Sequence, residues 1–287
     1  MVIILNYNGY ADTVECLDSL KNIEYPNYDI FVVDNGSKTF DDNNIIKIYP
    51  SVRVVCLPVN LGFTGGNNFL LDLVPYSDYD YVLLLNNDTV VSWDFLSYLV
   101  NTAESDTRIG IVSPLIFYYN VMDGWSDFYD DGGQGHAKIW YNGGNVNKWT
   151  GITRHDQTFH CKPVHDTGYA NGCCMLIKRE LIEKNGGLYN GYFAYYEDLD
   201  YSYRAKAAGY RIVVDQRAQI YHKVSATAKK SNVGRFYYIR NRLLYMKRNS
   251  TLLEYSVFLP VFLLSYVLPR LLLYPGITAK AIIEGFN

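Results

Sequence analysis

The chain has 287 residues, 49% apolar and 19% charged, enough for one large α/β domain or a domain of roughly 200 residues with an appendage. That balance excludes a disordered chain. The net charge of −3 hides an asymmetry, because from Arg204 onward there are fourteen Lys/Arg against three Asp/Glu, and before it twelve against twenty-six. A basic tail on an acidic body points to phosphates, of a ligand or of an anionic membrane surface, and gives little support to nucleic-acid binding.

In chain order, Val2 to Leu5 is a short apolar run ending in Asn6-Tyr7-Asn8-Gly9, a strand followed by a turn. A helix over about 10–22 places Val14, Leu17 and Leu20 on one face. Ile30 to Val33 is a second strand, stopped by Asp34-Asn35-Gly36-Ser37. Val52 to Leu57 is a third, and Tyr81 to Leu85 a fourth, running into Asn86-Asn87-Asp88. Wholly apolar strands alternating with helices indicate an α/β fold with a parallel sheet covered on both faces. Ligands of such sheets bind beyond the carboxyl ends of the strands, where the three polar clusters lie.

From about 118 to 165 apolar periodicity is lost and Gly, Asn, Asp and Trp are frequent, which reads as long loops or an irregular hairpin over the rim. A strand at Cys173 to Ile177, a helix at 178–184, a helix at 197–208 ended by Gly209, and a strand at Ile212 to Val214 follow. Tyr255 to Pro269 is free of charge but only fifteen residues long, with Pro260 inside it. A spanning helix needs about twenty apolar residues. Attachment to a membrane surface is therefore expected, with Lys229, Lys230, Arg235, Arg240, Arg242, Lys247 and Arg248 as anchors for anionic headgroups.

Five cysteines without a CxxC pair, and no signal peptide before the first strand, suggest a reducing, cytosolic compartment. The spacing of His155, His160, Cys161 and His165 matches no structural zinc pattern, so loop residues are the favoured reading.

Four constellations carry candidate chemistry. Asp88 ends a buried strand with no Lys or Arg near it in sequence. A rigid carboxylate there suits Mg²⁺ or Mn²⁺, which takes one or two carboxylates beside substrate phosphates and water. For the tripeptide Asn86-Asn87-Asp88 taken alone, an Asx cap on the next helix is the favoured reading. Glu197, Asp198 and Asp200 crowd a helix start, where the macrodipole alone favours acids. Aromatic neighbours such as Tyr195 and Tyr196 would partly dry the site and raise a carboxylate toward a useful general base, and Asp198 is the candidate. Asn60 to Asn68, with Gly62, Gly65, Gly66 and Asn67, follows a strand and opens a helix whose amides are placed to meet an anion. His222 is either structural or a group that completes a metal shell or donates to a phosphate.

In this order the segments resemble family 2 inverting glycosyltransferases of the GT-A fold, in particular the rhamnosyltransferase-like branch. The matching segments are Ile4 to Gly9, Val33 to Ser37, Asn60 to Phe63 with Gly66-Asn67-Asn68, Leu85 to Asp88, Gly172 to Ile177 and Glu197 to Asp200. They cover roughly 1–248, with His222 and Arg240-Asn241-Arg242 as further counterparts. The resemblance implies a mostly parallel central sheet with helices on both faces and a C-terminal helical extension. It places a catalytic domain at 1–225, its donor half at about 1–117 and its acceptor half at about 118–225, and a basic, apolar, membrane-associated tail at 226–287.

By the same resemblance, Asp34 binds the nucleobase with Tyr7 lining that pocket, and Asn6 and Asn87 join the nucleotide-sugar contacts. Asn86 stands where relatives have the first Asp of a DxD motif and keeps a ribose contact, while Asp88 is the metal-binding second. Asp198 matches the base, His222 approaches the metal or diphosphate, and Gly172, Cys173 and Glu197 face the acceptor. The implied enzyme is a metal-dependent hexosyl or deoxyhexosyl transferase using Mn²⁺ or Mg²⁺ at the cytosolic face of the membrane, with a lipid-linked or cell-surface saccharide as acceptor. No QxxRW segment of processive synthases is visible. A sugar nucleotidyltransferase would need a Gly-rich, Lys-bearing N-terminal loop that is missing, and intact Asp88 and Asp198 count against a non-catalytic nucleotide-binding protein.

Overall fold

The computed structural model describes residues 1–119, 138–224 and 231–286. Trp125, Lys229 and Lys230 lie outside them. Four parallel strands, β1 (Val2–Asn6), β2 (Ile30–Asp34), β3 (Val52–Cys56) and β4 (Tyr81–Asn86), are connected by α1 (Tyr10–Leu20), α2 (Asp42–Ile48) and α3 (Gly62–Leu71). Successive side chains of a strand point to opposite faces. Val2 and Ile4 accordingly pack with Cys16, Leu17 and Leu20 of α1, whereas Ile3 packs with Leu70 and Leu71 of α3. Helices thus cover both faces.

The chain continues through β5 (Thr89–Val91), α4 (Phe95–Ser105), β6 (Ile109–Tyr118), β7 (Ile139–Tyr141), β8 (Gly144–Val146), β9 (Thr153–His155), β10 (Val164–Asp166), β11 (Cys174–Lys178), α5 (Arg179–Asn185), α6 (Glu197–Ala207) and β12 (Arg211–His222). The main sheet has the order β10-β12-β6-β11-β4-β1-β2-β3, with β5 on β12 and β7 on β6. Its long members run one way except β11, which is antiparallel to β4 and β6. Gly186 (φ +68°) and Gly209 (φ +91°) close α5 and α6 in the left-handed conformation that glycine adopts without a steric penalty.

The stretch read as long loops or an irregular hairpin holds four three-residue strands, two of which, β8 and β9, form an antiparallel hairpin of their own. Three residues are too few for a period to show. The strand expected at Ile212 to Val214 runs on to His222 as β12, with a register shift between Asp215 and Gln219.

The C-terminal region is helical: α7 (Asn232–Asn249), α8 (Leu252–Phe262), a π-helical turn (Leu263–Val267), α9 (Leu268–Leu273) and α10 (Pro275–Phe286), with Gly285 of α10 against Leu243 of α7. The fifteen-residue limit read from the sequence is too short, since helix runs without a break from Leu252 to Leu273, 22 residues long and apolar enough to cross a membrane. Glu254 and Arg270, read as its bounds, are absorbed into it. Glu254 completes a capping box with Thr251, and the Arg270 guanidinium lies 3.5 Å from the Tyr266 ring centre.

The five described members of the basic cluster expected to face headgroups are engaged within the fold. Arg240 donates to Gly191 O, Arg242 to Thr150 O, Lys247 to Phe286 O and Arg248 to Asp200, while Arg235 stacks on Tyr274. Arg242 is 8% exposed and faces the rings of Phe258, Phe262 and Tyr266. Weak hydration of guanidinium permits such burial where an ammonium would resist it.

Candidate active site

The carboxyl ends of β2, β1 and β4 form a continuous rim, because register pairs Asn6 with Asp34 and Leu5 with Asn86. At its centre Asn6, fully buried, donates to Asp34 Oδ1 at 2.7 Å, and its Oδ1 accepts from Gly9 N, Thr13 Oγ1 and Asn87 Nδ2. Asp34 also accepts from the Ser37 hydroxyl at 2.5 Å and the Ser37 amide at 3.1 Å. Asn6 and Asn87, expected among the nucleotide contacts, therefore brace the rim. Tyr7, 49% exposed, stands beside this knot.

The glycine-rich helix start also departs from expectation. Leu61 N donates to Asn35 Oδ1, Gly62 N to Asn60 Oδ1 and Thr64 N to Phe193 O, so three amides expected to meet an anion are taken by the chain itself. Asn67 donates to Phe63 O within its helix. A Cβ on Gly66 would lie 2.5 Å from Leu5 Cδ1, so this glycine lets α3 approach β1. Asn60, two residues away, and the distant Asn35 side chain and Phe193 carbonyl win this competition, and nothing in the local sequence announces the two distant ones.

Past β4 the rim opens into a cavity of about 340 Å³ bearing Asn86, Asp88, Gly172, Cys173, Glu197, Asp198 and His222. Its aromatic walls include Phe63, Trp140, Tyr169, Tyr195 and Tyr238. Asp88 sits in the turn between β4 and β5, not at a helix start, which disposes of the capping reading. β12 delivers His222 to it, because His222 pairs with Thr89 of β5. His222 Nε2 is 3.1 Å from Asp88 Oδ1, a close contact without a directed hydrogen bond, and Asp88 Oδ1 and His222 Nδ1 are both buried without a hydrogen-bond partner. Burial pushes the Asp88 carboxyl up, but contact with His222 outweighs it and the net shift is downward, so the group is ionised near neutrality.

Across the cavity Asp198 Oδ2 accepts from Gly172 N at 3.0 Å and Oδ1 from Leu199 N at 2.8 Å. Each oxygen keeps a lone pair for a further proton or donor. A Cβ on Gly172 would stand 3.2 Å from Phe63 Cζ, so the ring would have to give by a few tenths of an ångström to admit it. Desolvation raises the Asp198 carboxyl above the usual range and raises Glu197 much further. Glu197 is 6% exposed and its Oε2 has no hydrogen-bond partner, whereas the two amides that donate to Asp198 favour its ionised form. Burial raises the Cys173 thiol far above its ordinary value, which removes it as a nucleophile, while its carbonyl accepts from Asn86 N.

Of the sequence-predicted residues, the cavity collects Asn86, Asp88, Gly172, Cys173, Glu197, Asp198 and His222. Tyr7 and Asp34 lie along the adjoining rim, and Asn60, Gly66 and Asn67 belong to the packing of α3. Sequence reasoning missed Tyr169, Asn171 and Tyr238. Of the tryptophans in the 118–165 stretch, Trp140 lines the cavity, its ring centre 4.7 Å from that of His222, and Trp149 does not. The described residues hold no cluster of three or more His, Cys, Asp or Glu able to bind a metal. His160 is paired with Asp156 at 2.9 Å and stacked on His165.

This architecture is the GT-A glycosyltransferase fold. It matches the crystal structure of GalNAc-T7 with UDP, GalNAc and Mn²⁺ (TM-score 0.63, 16% identity, 96% of this chain), of whose length the chain spans 57%. It also matches the mannosyltransferase PcManGT of Pyrobaculum calidifontis in complex with GDP-Man and Mn²⁺ (TM-score 0.58, 18% identity, 98% and 73%). The chain belongs to glycosyl transferase family 2, whose model matches residues 1–186. It is 27% identical over 220 residues to the N-acetylglucosaminyl-diphospho-decaprenol L-rhamnosyltransferase of Mycobacterium tuberculosis, covering 70% of this chain and 68% of that protein.

Proposed function

We propose that the chain transfers a hexosyl or deoxyhexosyl group from a nucleoside diphosphate sugar to a hydroxyl of a saccharide, inverting the anomeric carbon. The carrying observation is that one cavity joins the Asp88–His222 pair to Asp198. In the proposed step Asp198 takes the acceptor O–H proton, the oxygen forms a bond to C1, and the C1–O bond to phosphate breaks with its electron pair leaving on the nucleoside diphosphate. Asp34 and Tyr7 on the rim hold the base and Asn86 the ribose. The aromatic walls, Trp140 foremost, offer faces on which an acceptor sugar stacks.

The unpartnered Asp88 Oδ1 and the oxygen and nitrogen chemistry of the pair fit Mn²⁺ or Mg²⁺, with phosphates and water as remaining ligands. Such an ion would neutralise charge on the departing diphosphate. The test is a panel of nucleotide sugars with Mn²⁺ scored by thermal shift, then by nucleoside diphosphate release with and without saccharide acceptors. A raised melting point and acceptor-dependent release are expected. Release of pyrophosphate from a nucleoside triphosphate and sugar 1-phosphate would replace this reading with nucleotidyl transfer.

The tail supports a membrane-surface location, on different grounds from its charge. Leu253, Val257, Val261, Leu264, Leu268 and Leu272 recur every three or four residues, each between 41% and 81% exposed, while Phe258, Phe262 and Val267 on the opposite side are buried. The helix is apolar on both sides, and its outward face lies exposed. A lipid surface covers it, bringing the cavity to a lipid-linked saccharide at the cytosolic face. Because the basic residues are engaged internally, sedimentation with neutral phosphatidylcholine vesicles should approach that with anionic ones and survive salt on the order of 0.5 M, within about two-fold. The pair Leu264→Glu and Leu268→Glu should abolish it. Wild-type protein that stays in the supernatant with both vesicle types would sink the idea.

A further inference from the structure

Asn241 is fully buried in α7, a helix that contributes no group to the proposed bond making and breaking. Asparagine is a poor choice inside a helix, since its carboxamide competes with the backbone. Here the carboxamide reaches out of the helix. Nδ2 donates to Ala194 O at 2.7 Å and to Tyr195 O at 2.8 Å. Oδ1 accepts from Arg240 Nη1 at 2.7 Å, which fixes which end of the amide faces which way.

The two carbonyls belong to an unusual turn. Tyr195 (φ +69°) and Tyr196 (φ +74°) are consecutive left-handed residues, a conformation disfavoured for any residue with a Cβ. Glu197 and Asp198 follow at once. Other contacts hold the same turn from α7: Tyr195 stacks on Tyr238 at 4.4 Å, Arg240 donates to Gly191 O, and Asp200 is bound by Arg248 and Asn249. Backbone strain of this kind persists only where surrounding groups over-determine it. Asn241 ties two successive carbonyls at the entry to the strained pair with a single carboxamide nitrogen.

We infer that Asn241 is a positioning residue for the transfer reaction, its amide holding the left-handed turn that aims Asp198 into the cavity. The inference rests on Asp198 being the base. Asn241 touches neither substrate nor reacting atoms, so its removal should appear in the rate of the bound complex and not in donor affinity.

The experiment compares Asn241→Ala and Asn241→Ser, alone and with Asp198→Asn, in the full chain. Asn241→Ala should lower kcat by about 10- to 100-fold, as expected for misplacing a catalytic group by an ångström, with nucleotide-sugar affinity within about two-fold. Asn241→Ser, retaining one donor, should fall between it and wild type, and carries the test if the alanine variant does not fold. In the Asp198→Asn background, adding the alanine should change the residual rate by less than about two-fold, because both changes act through one group. Equal losses of kcat and donor affinity, a serine variant no better than alanine, or full additivity with Asp198→Asn would overturn the inference. Full kcat in both Asn241 variants beside an inactive Asp198→Asn would overturn it too, leaving the base assignment intact. An active Asp198→Asn would instead remove the base assignment itself.

Discussion

Replacing Asp198 with asparagine should lower kcat by about 10²- to 10⁴-fold, the range that a positioned general base contributes. The substitution keeps the shape but only one acceptor oxygen, so it retains one of the bonds that the Gly172 and Leu199 amides make to the two carboxylate oxygens at 3.0 and 2.8 Å and loses the other, and an unchanged melting temperature is the check that the side chain stays in place. Nucleotide-sugar affinity should change by no more than a few-fold, because the base and ribose contacts are assigned to Asp34, Tyr7 and Asn86 and none to Asp198. The wild-type pH profile should report the same group. Desolvation raises its carboxyl, so the basic form is lost as pH falls through a value above that of an ordinary aspartate, about 3.9. The acid limb of kcat/KM should sit above that value and disappear in the variant. A variant with wild-type kcat, or an acid limb unchanged by it, contradicts the assignment.

The parallel strands were legible because each is a short β-branched or leucine-rich run ending in a polar turn. Asp88, Asp198 and His222 were legible as types of chemistry at strand and helix ends. What the local sequence conceals is competition between distant groups. The amides at the start of α3 look free until Asn35 and Phe193 arrive from elsewhere to occupy them. The arginines of α7 look like a solvated patch until Tyr189, Tyr274 and the Phe258–Phe262–Tyr266 stack supply ring faces. Charge marks the ends of an apolar segment only when nothing nearby neutralises it, and both Glu254 and Arg270 find partners one turn away. The coupling of α7 to the turn before Asp198 left one trace, an asparagine in mid-helix flanked by arginines. That trace has a meaning only once the main chain it serves is in view.

Removing divalent ions with EDTA should reduce turnover to background, and Mn²⁺ or Mg²⁺ should restore it. Asp88 then separates this effect from a general loss of structure. Its Oδ1 is buried without a hydrogen-bond partner, so Asp88→Asn removes charge without breaking a directed bond and should shift unfolding of the metal-free protein by about 1 kcal/mol or less. The same change takes away the only carboxylate of the pair, leaving His222 and a neutral amide against a hard cation. Activity should fall by at least about 10²-fold, and the rise in melting temperature produced by Mn²⁺ together with a nucleoside diphosphate should largely vanish. His222→Ala should act in the same direction but less strongly, since the carboxylate remains. Full turnover of the wild type in EDTA would remove the ion from the mechanism. Loss of folding in Asp88→Asn would show instead that its contact with His222 is architectural, because an orphaned carboxylate oxygen has no other reason to be missed by the fold.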